Sequence, residues 1–235
     1  NLERERFMAR EYVDRILRAR VYDAAIETPL QEAPNLSARL ENRVLLKRED
    51  LQPVFSFKIR GAYNRMQGLN EDERARGVIA ASAGNHAQGV AYSGRQLGVK
   101  TTIVMPKTTP PIKVSAVRRF GADVVLHGSS FDEARIHMEA MIGSTGCVYV
   151  PPFDDPDVIA GQGTVGMEIL RQHTQALDAV FVPVGGGGLI AGVSAYVKSL
   201  WPDIKVIGVE PQDAPTLASA RHAGRPVTLD QVGIF

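Results

Sequence analysis

A single lysine, Lys58, in the run S-F-K-I-R-G-A-Y over residues 56–63 is the residue of this chain best suited to covalent chemistry. Ser56 reads as the N-cap of a helix, which puts Lys58 in the first turn. The positive end of the helix dipole disfavours an ammonium there and favours the neutral amine that Schiff-base chemistry needs. A lysine on its own is ordinarily a solvated surface group, so the reading depends on what accompanies it. The run S-A-G-N-H-A-Q-G over 82–89 stands where a strand gives way to a helix, with Gly84 freeing the backbone to turn. Backbone N–H groups at that helix start, with Ser82, Asn85 and His86 beside them, would clamp a carboxylate. A plain capped helix behind a tight turn would read the same way.

The third run, V-F-V-P-V-G-G-G-G-L-I-A-G over 180–192, sets four consecutive glycines, Gly185 to Gly188, between an apolar strand and an apolar helix. Without side chains, several backbone amides can close on one anion, and the helix start adds its dipole. That is the chemistry of a phosphate cradle. Gly186-x-Gly188-x-x-Ala191 also fits the dinucleotide fingerprint, with Glu210 about twenty residues on, where a ribose-binding acid would stand. An NAD-binding α/β protein therefore stays open on these residues, although it leaves Lys58 and the 82–89 loop without a task.

The elements that must position these groups follow from periodicity. Between 77 and 210, short β-rich runs alternate with longer amphipathic ones, the rhythm of a parallel α/β fold with right-handed crossovers. Strands are expected at Val78–Ala81, Thr101–Met105, Val124–His127, Val148–Val150, Val180–Val184 and Val206–Val209. Helices are expected at 86–97, 111–119, 131–142, 157–172, 189–200 and 215–222. Met8, Tyr12, Val13, Ile16 and Leu17 form one apolar face of an N-terminal helix that packs on the body or on a partner subunit.

With 44% hydrophobic residues and 23% charged, the 235-residue chain can bury a sizeable core. Lys+Arg 27 against Asp+Glu 26 leaves no net field to recruit nucleic acid or an anionic membrane, which points to a small-molecule partner. The lone cysteine, Cys147, lies in an apolar run and reads as a buried strand thiol, not half of a disulfide. No stretch is apolar enough to span a membrane, and charges throughout the first twenty residues leave no signal-peptide core. A cytoplasmic protein is expected, or an organellar one if a leader preceded Asn1. His127, His137, His173 and His222 show no metal-ligand spacing. Asp154 and Asp155 read as a turn with Asp155 capping a helix, in preference to a carboxylate dyad.

In this order, S-F-K-I-R-G-A, S-A-G-N-H-A-Q-G and V-P-V-G-G-G-G-L resemble the fold-type II pyridoxal-phosphate enzymes (tryptophan synthase β-like), and among them the biosynthetic threonine deaminases, or threonine dehydratases. T-P-L at 28–30, V-L-L-K-R-E-D at 44–50, F-G-A-D-V at 120–124, V-P-P-F-D-D-P at 150–156 and I-A-G-Q-G-T at 159–164 carry the same likeness over nearly the whole chain. The resemblance implies two parallel-sheet α/β domains with the cofactor in the cleft: a small domain at 65–160 and a large one from 1–64 and 161–235. The large domain would be truncated, and nothing resembles a regulatory domain. Lys58 would carry pyridoxal 5'-phosphate, Gly185, Gly186, Gly187, Gly188 and Leu189 would bind its phosphate, Asn85 would bond the ring's 3-oxygen, and Phe57 would pack near the ring. Ser82, Ala83, Gly84, Asn85 and His86 would take the substrate carboxylate.

The implied reaction is dehydration and deamination of L-threonine to 2-oxobutanoate and ammonia, the first step toward isoleucine. Lys58 would remove the α-proton, and L-serine would be a poorer substrate giving pyruvate. A dimer or tetramer is implied. Serine racemases resemble the chain but carry a second serine at the position of Ala83; alanine cannot shuttle a proton, so elimination without efficient racemisation is expected. Relatives with a cation site use Glu210, the Ala214 carbonyl and an acid where this chain has Thr216, so no metal is expected. The competing class is a non-catalytic fragment that binds the cofactor with an incomplete site, since the serine or cysteine that meets the pyridine nitrogen in relatives falls beyond the match.

Overall fold

A computed structural model describes residues 2–229, with side chains from residue 10 onward. The chain opens with α1 (Leu2–Arg18), then β1 (Leu30–Glu32), α2 (Pro34–Leu40) and β2 (Leu45–Lys47), where β1 and β2 pair antiparallel. A 3₁₀ turn at Glu49–Leu51 leads to α3 (Lys58–Gln67) and the short α4 (Glu71–Arg76). The latter is held by a capping box in which Asn70 and Glu73 each accept the other's backbone N–H.

Strands and helices then alternate: β3 (Val78–Ala81), α5 (Asn85–Leu97), β4 (Thr101–Met105), α6 (Pro111–Arg119), β5 (Asp123–Leu126), α7 (Phe131–Thr145) and β6 (Val148–Tyr149). All pairings are parallel, in the order β5-β4-β3-β6. Every residue of β3 is buried because this strand has a neighbour on each side and helices on both faces. Alternate side chains divide between those faces. Val78 and Ala80 join Met66, Ala87 and Val90 from α3 and α5, whereas Ile79 and Ala81 join Ala134 and Met138 from α7.

The remainder is α8 (Pro156–Gln172), β7 (Ala179–Pro183), α9 (Gly188–Leu200), β8 (Lys205–Val209) and α10 (Thr216–Ala223). β7 and β8 form a second parallel pair. Asp155 caps α8, accepting from the N–H groups of Asp157 and Val158 at 2.9 and 3.0 Å, as its position before Pro156 predicts.

The expected strands and helices are all present, with ends displaced by at most a few residues. The antiparallel pair β1–β2 and the helices α2 and α4 lie outside the sequence expectations, since strands of three residues and helices of seven and six give too few repeats to register as a period. On α1, Ile16 is buried and Tyr12 and Val13 are partly so, against α8 and α9 of the same chain. Leu17, by contrast, is 61% exposed and does not belong to that face, and Met8 lies outside the described side chains. Cys147 precedes β6 and is only half-buried, with its Sγ 3.2 Å from the Arg76 carbonyl.

Candidate active site

Lys58 is set by the crossing of α3 and α8. A Cβ on Gly61 would stand 2.4 Å from Gln162 Nε2 and 2.7 Å from the Val158 carbonyl, and one on Gly161 would stand 2.6 Å from the Arg60 carbonyl. The two helices therefore touch through glycines, backbone against backbone, and the first turn of α3 is held fast. Ser56 is not the N-cap itself. Phe57 occupies that position in a helical conformation with no side-chain cap, while the Ser56 hydroxyl accepts the Lys58 N–H at 3.3 Å. Lys58 Nζ donates to the Pro152 carbonyl at 2.6 Å and lies 5.6 Å from the centre of the Phe57 ring. Burial pushes its pKa down from the usual 10.5 to about 8. Desolvation drives this shift, where the sequence pointed to the helix dipole.

The glycine loop faces this amine across a cavity of about 110 Å³, several times what one water needs. Phe57, Lys58, Gly185 to Gly188 and Leu189 all line it. Gly187 has φ +88°, a left-handed conformation that glycine alone adopts freely, and it turns β7 into α9. Gly186 and Gly188 lie so close to Phe153 that a Cβ on either would clash, at 2.1 Å from its ring and 2.8 Å from its carbonyl oxygen respectively. A Cβ on Gly185 or Gly187 would meet nothing within 4 Å. Among the described residues, none of the amides of Gly185, Gly186 and Gly187 donates a hydrogen bond within the chain. Open space, unspent donors and a helix start fit a phosphate group, and the adjacent amine fits an aldehyde.

The 82–86 loop reaches the site by another route. A Cβ on Gly89 would stand 3.1 Å from the Lys58 carbonyl carbon, so α5 packs directly on the lysine's own turn and brings its N-terminus alongside. Ser82 Oγ accepts the Gly84 N–H at 3.2 Å, Gly84 is the N-cap, and Asn85 opens the helix with its side chain exposed. The His86 ring turns inward, 2.9 Å from the Val150 carbonyl, and burial pushes its pKa down to about 4. Only its backbone faces the loop's work. Ala83 brings no proton-carrying group. None of residues 82–86 lines the cavity between Lys58 and the glycines.

Pro152, Phe153, Gln162 and Pro183 complete the cavity wall and were given no role from sequence. Gln162 had a readable signal, since a glutamine flanked by Gly161 and Gly163 marks a polar group at a tight helix crossing. Glu210 is otherwise occupied. Its carboxylate accepts from the N–H groups of Leu217 and Ala218 at 2.6 and 2.9 Å and from the Thr216 hydroxyl at 2.8 Å, capping α10. The acid of the dinucleotide reading thus serves as a helix cap.

The sequence signature of the family described as "Pyridoxal-phosphate dependent enzyme" matches residues 21–233. The chain is 61% identical over 225 residues to threonine dehydratase 1 biosynthetic, chloroplastic, of Solanum lycopersicum, covering 96% of this chain and 37% of that protein. It is 58% identical to L-threonine dehydratase biosynthetic IlvA of Salmonella typhimurium, with 96% and 44% covered. The chain thus spans less than half the length of these curated relatives. Among solved structures, the processed form of threonine deaminase isoform 2 from Solanum lycopersicum superposes with a TM-score of 0.93 at 53% identity, covering 96% of this chain and 62% of that one. Maize serine racemase superposes at 0.89 with 32% identity, covering 94% and 67%.

Proposed function

Because the chain belongs to the pyridoxal-phosphate-dependent enzymes and has their fold-type II architecture of parallel-sheet α/β units, we propose that the Lys58 cavity holds pyridoxal phosphate and that the protein deaminates L-threonine to 2-oxobutanoate and ammonia. The observation that carries this reading is the meeting, in one cavity, of an amine with a pKa near 8 and a glycine loop with unspent amides. Similarity to proteins named threonine dehydratase favours threonine as substrate over the racemase alternative.

When bound, pyridoxal phosphate supplies an electron sink that makes an amino acid's α-proton removable near neutral pH. Lys58 Nζ would hold the cofactor by its aldehyde and, as a neutral amine, would serve as the base for the substrate's α-proton. Gly185 to Leu189 would hold the phosphate through backbone amides and Phe57 would form an apolar wall, while Asn85, at the start of α5 and outside the cavity lining, would reach the ring's 3-oxygen from the neighbouring helix. The N–H groups of Ala83, Asn85 and His86 would orient the substrate carboxylate, those of Ser82 and Gly84 being spent on the Val104 carbonyl and on Ser82 Oγ. Ala83 offers no second proton carrier on the opposite face, so the chemistry ends in elimination. The small domain at 65–160 closes on the large domain of 1–64 and 161–235 and excludes water, and the working form is a homodimer or homotetramer.

The test is the visible spectrum of the purified protein with pyridoxal phosphate, before and after L-threonine, with 2-oxobutanoate followed in the same sample and Lys58→Ala as control. A band that shifts as keto acid accumulates, and is absent in the variant, is expected. A band without turnover would leave a cofactor-binding chain with no deaminase activity, and no band would overturn the reading.

A further inference from the structure

We infer that His86 is a positioning residue of this site: its buried imidazole ties the start of α5, where the substrate carboxylate would bind, to the proline segment that holds the amine of Lys58. The inference rests on the proposed function for the substrate. His86 is 4% exposed, and its ring Nε2 lies 2.9 Å from the carbonyl of Val150, itself fully buried. A carbonyl oxygen only accepts, so Nε2 carries the proton and the ring is the donor. Among the described residues no backbone N–H reaches that oxygen, and the imidazole is what satisfies it. With its pKa pushed down to about 4 by burial, the ring stays neutral and is suited to holding a bond, not to carrying a proton. Val150 in turn donates its N–H to the Ile79 carbonyl at 3.0 Å, which anchors it to β3. Pro151 and Pro152 follow, and their rings lock φ, so a shift at Val150 is passed along the segment instead of being absorbed. The Pro152 carbonyl then accepts from Lys58 Nζ at 2.6 Å. The close approach of Gly89 to the Lys58 carbonyl carbon fixes the backbone of the lysine, while the route through His86, Val150 and Pro152 fixes its amine. Both routes start on α5, so the amides that would orient a carboxylate and the amine that would take the α-proton are held at one spacing.

A histidine that only supported the fold would lower stability when replaced and leave the chemistry of the folded protein alone. His86→Leu fills the space without a donor, and His86→Gln keeps an N–H donor near the place of Nε2. The first readout uses the empty protein: the rate at which Lys58 captures pyridoxal, which needs neither a phosphate nor a substrate, measured against pH. The wild-type midpoint should lie near 8. In His86→Leu the released segment admits water to the amine, and the midpoint should rise toward 10.5, whereas His86→Gln should keep it near the wild-type value. The second readout is turnover of L-threonine by the loaded protein, which should fall about 10- to 100-fold in His86→Leu, in kcat more than in KM, and recover in His86→Gln. A wild-type midpoint in folded His86→Leu, or a His86→Gln as impaired as the leucine variant, would overturn the inference. If His86→Leu does not fold, Pro151→Gly softens the segment and leaves the His86 bond in place. It should move the midpoint the same way, and a wild-type midpoint there would overturn the inference. A midpoint that moves in His86→Leu, beside a wild type that captures pyridoxal but never turns over L-threonine, would leave His86 as the residue that positions Lys58 and sink the proposed function. Wild-type turnover with both readouts indifferent to His86 would do the reverse.

Discussion

At Lys58 the controlling quantity is the fraction of neutral amine. With the pKa pushed down to about 8 by burial, capture of pyridoxal phosphate should accelerate as pH rises, with a midpoint near 8. Stopped-flow absorbance against pH measures it, and a midpoint at the usual lysine value of 10.5 would contradict the buried placement. The same shift has a stability consequence. Between about pH 8 and 10.5 the unfolded chain binds more protons than the folded one, so stability rises with pH across that window. His86 acts in the same direction at lower pH. Its pKa falls from 6.5 to about 4, so stability should decline as pH drops through that range, and His86→Leu should flatten the decline in urea unfolding curves. Sequence identified Lys58 as the reactive amine, but the cause of its activation is burial under residues far along the chain, including the Pro152 carbonyl. Local sequence carries no record of such desolvation.

Among the elements, the glycines divide into those that let helices meet and those that leave room for a ligand, and two substitutions separate the roles. Gly161→Ala drives a methyl toward the Arg60 carbonyl oxygen at 2.6 Å and Gly61 Cα at 2.7 Å, both backbone atoms that cannot step aside. It should destabilise the protein by about 1–3 kcal/mol in denaturant melts, because α3 must lift from α8. Gly185→Ala meets nothing within 4 Å and needs no left-handed backbone. It should leave the melting temperature of the empty protein alone while weakening pyridoxal phosphate binding roughly tenfold or more, through the methyl in the cradle. A fall in melting temperature would show that Gly185 supports the fold instead. The run of four glycines declared an anion site in the sequence, yet it did not say which of the four touch protein and which face the cavity. That division depends on Phe153, over thirty residues earlier in the chain.

For the molecule as a whole, one buried ionic cluster joins segments that sequence leaves far apart. Arg60, fully buried, bonds both oxygens of Glu49 at 2.7 Å and those of Glu168 at 2.6 and 2.9 Å, while Lys47 and the Tyr22 hydroxyl also reach Glu168, at 2.6 and 2.7 Å. Two cations and two carboxylates balance, so the cluster is tolerated in the interior and clasps the N-terminal segments to α8 behind the reactive lysine. Arg60→Met would leave Glu49 without its cation and Glu168 with Lys47 and Tyr22 alone, and should cost about 3–5 kcal/mol in equilibrium unfolding. A loss below 1 kcal/mol would mean that the carboxylates find other partners or become neutral. K-R-E-D and I-R-G-A are legible as motifs, but nothing in either says that Lys47, Glu49 and Arg60 converge on Glu168. The sequence by itself determined the parallel α/β alternation, the lysine, the turn at 82–86 and the glycine loop, because period, capping and glycine content act over a few residues. Tertiary structure alone decided that Lys58 and the glycines share one cavity, that His86 faces inward and that Glu210 is spent on a helix end. Each of those is a matter of desolvation or of contact between distant segments, which exists only once the chain has closed on itself.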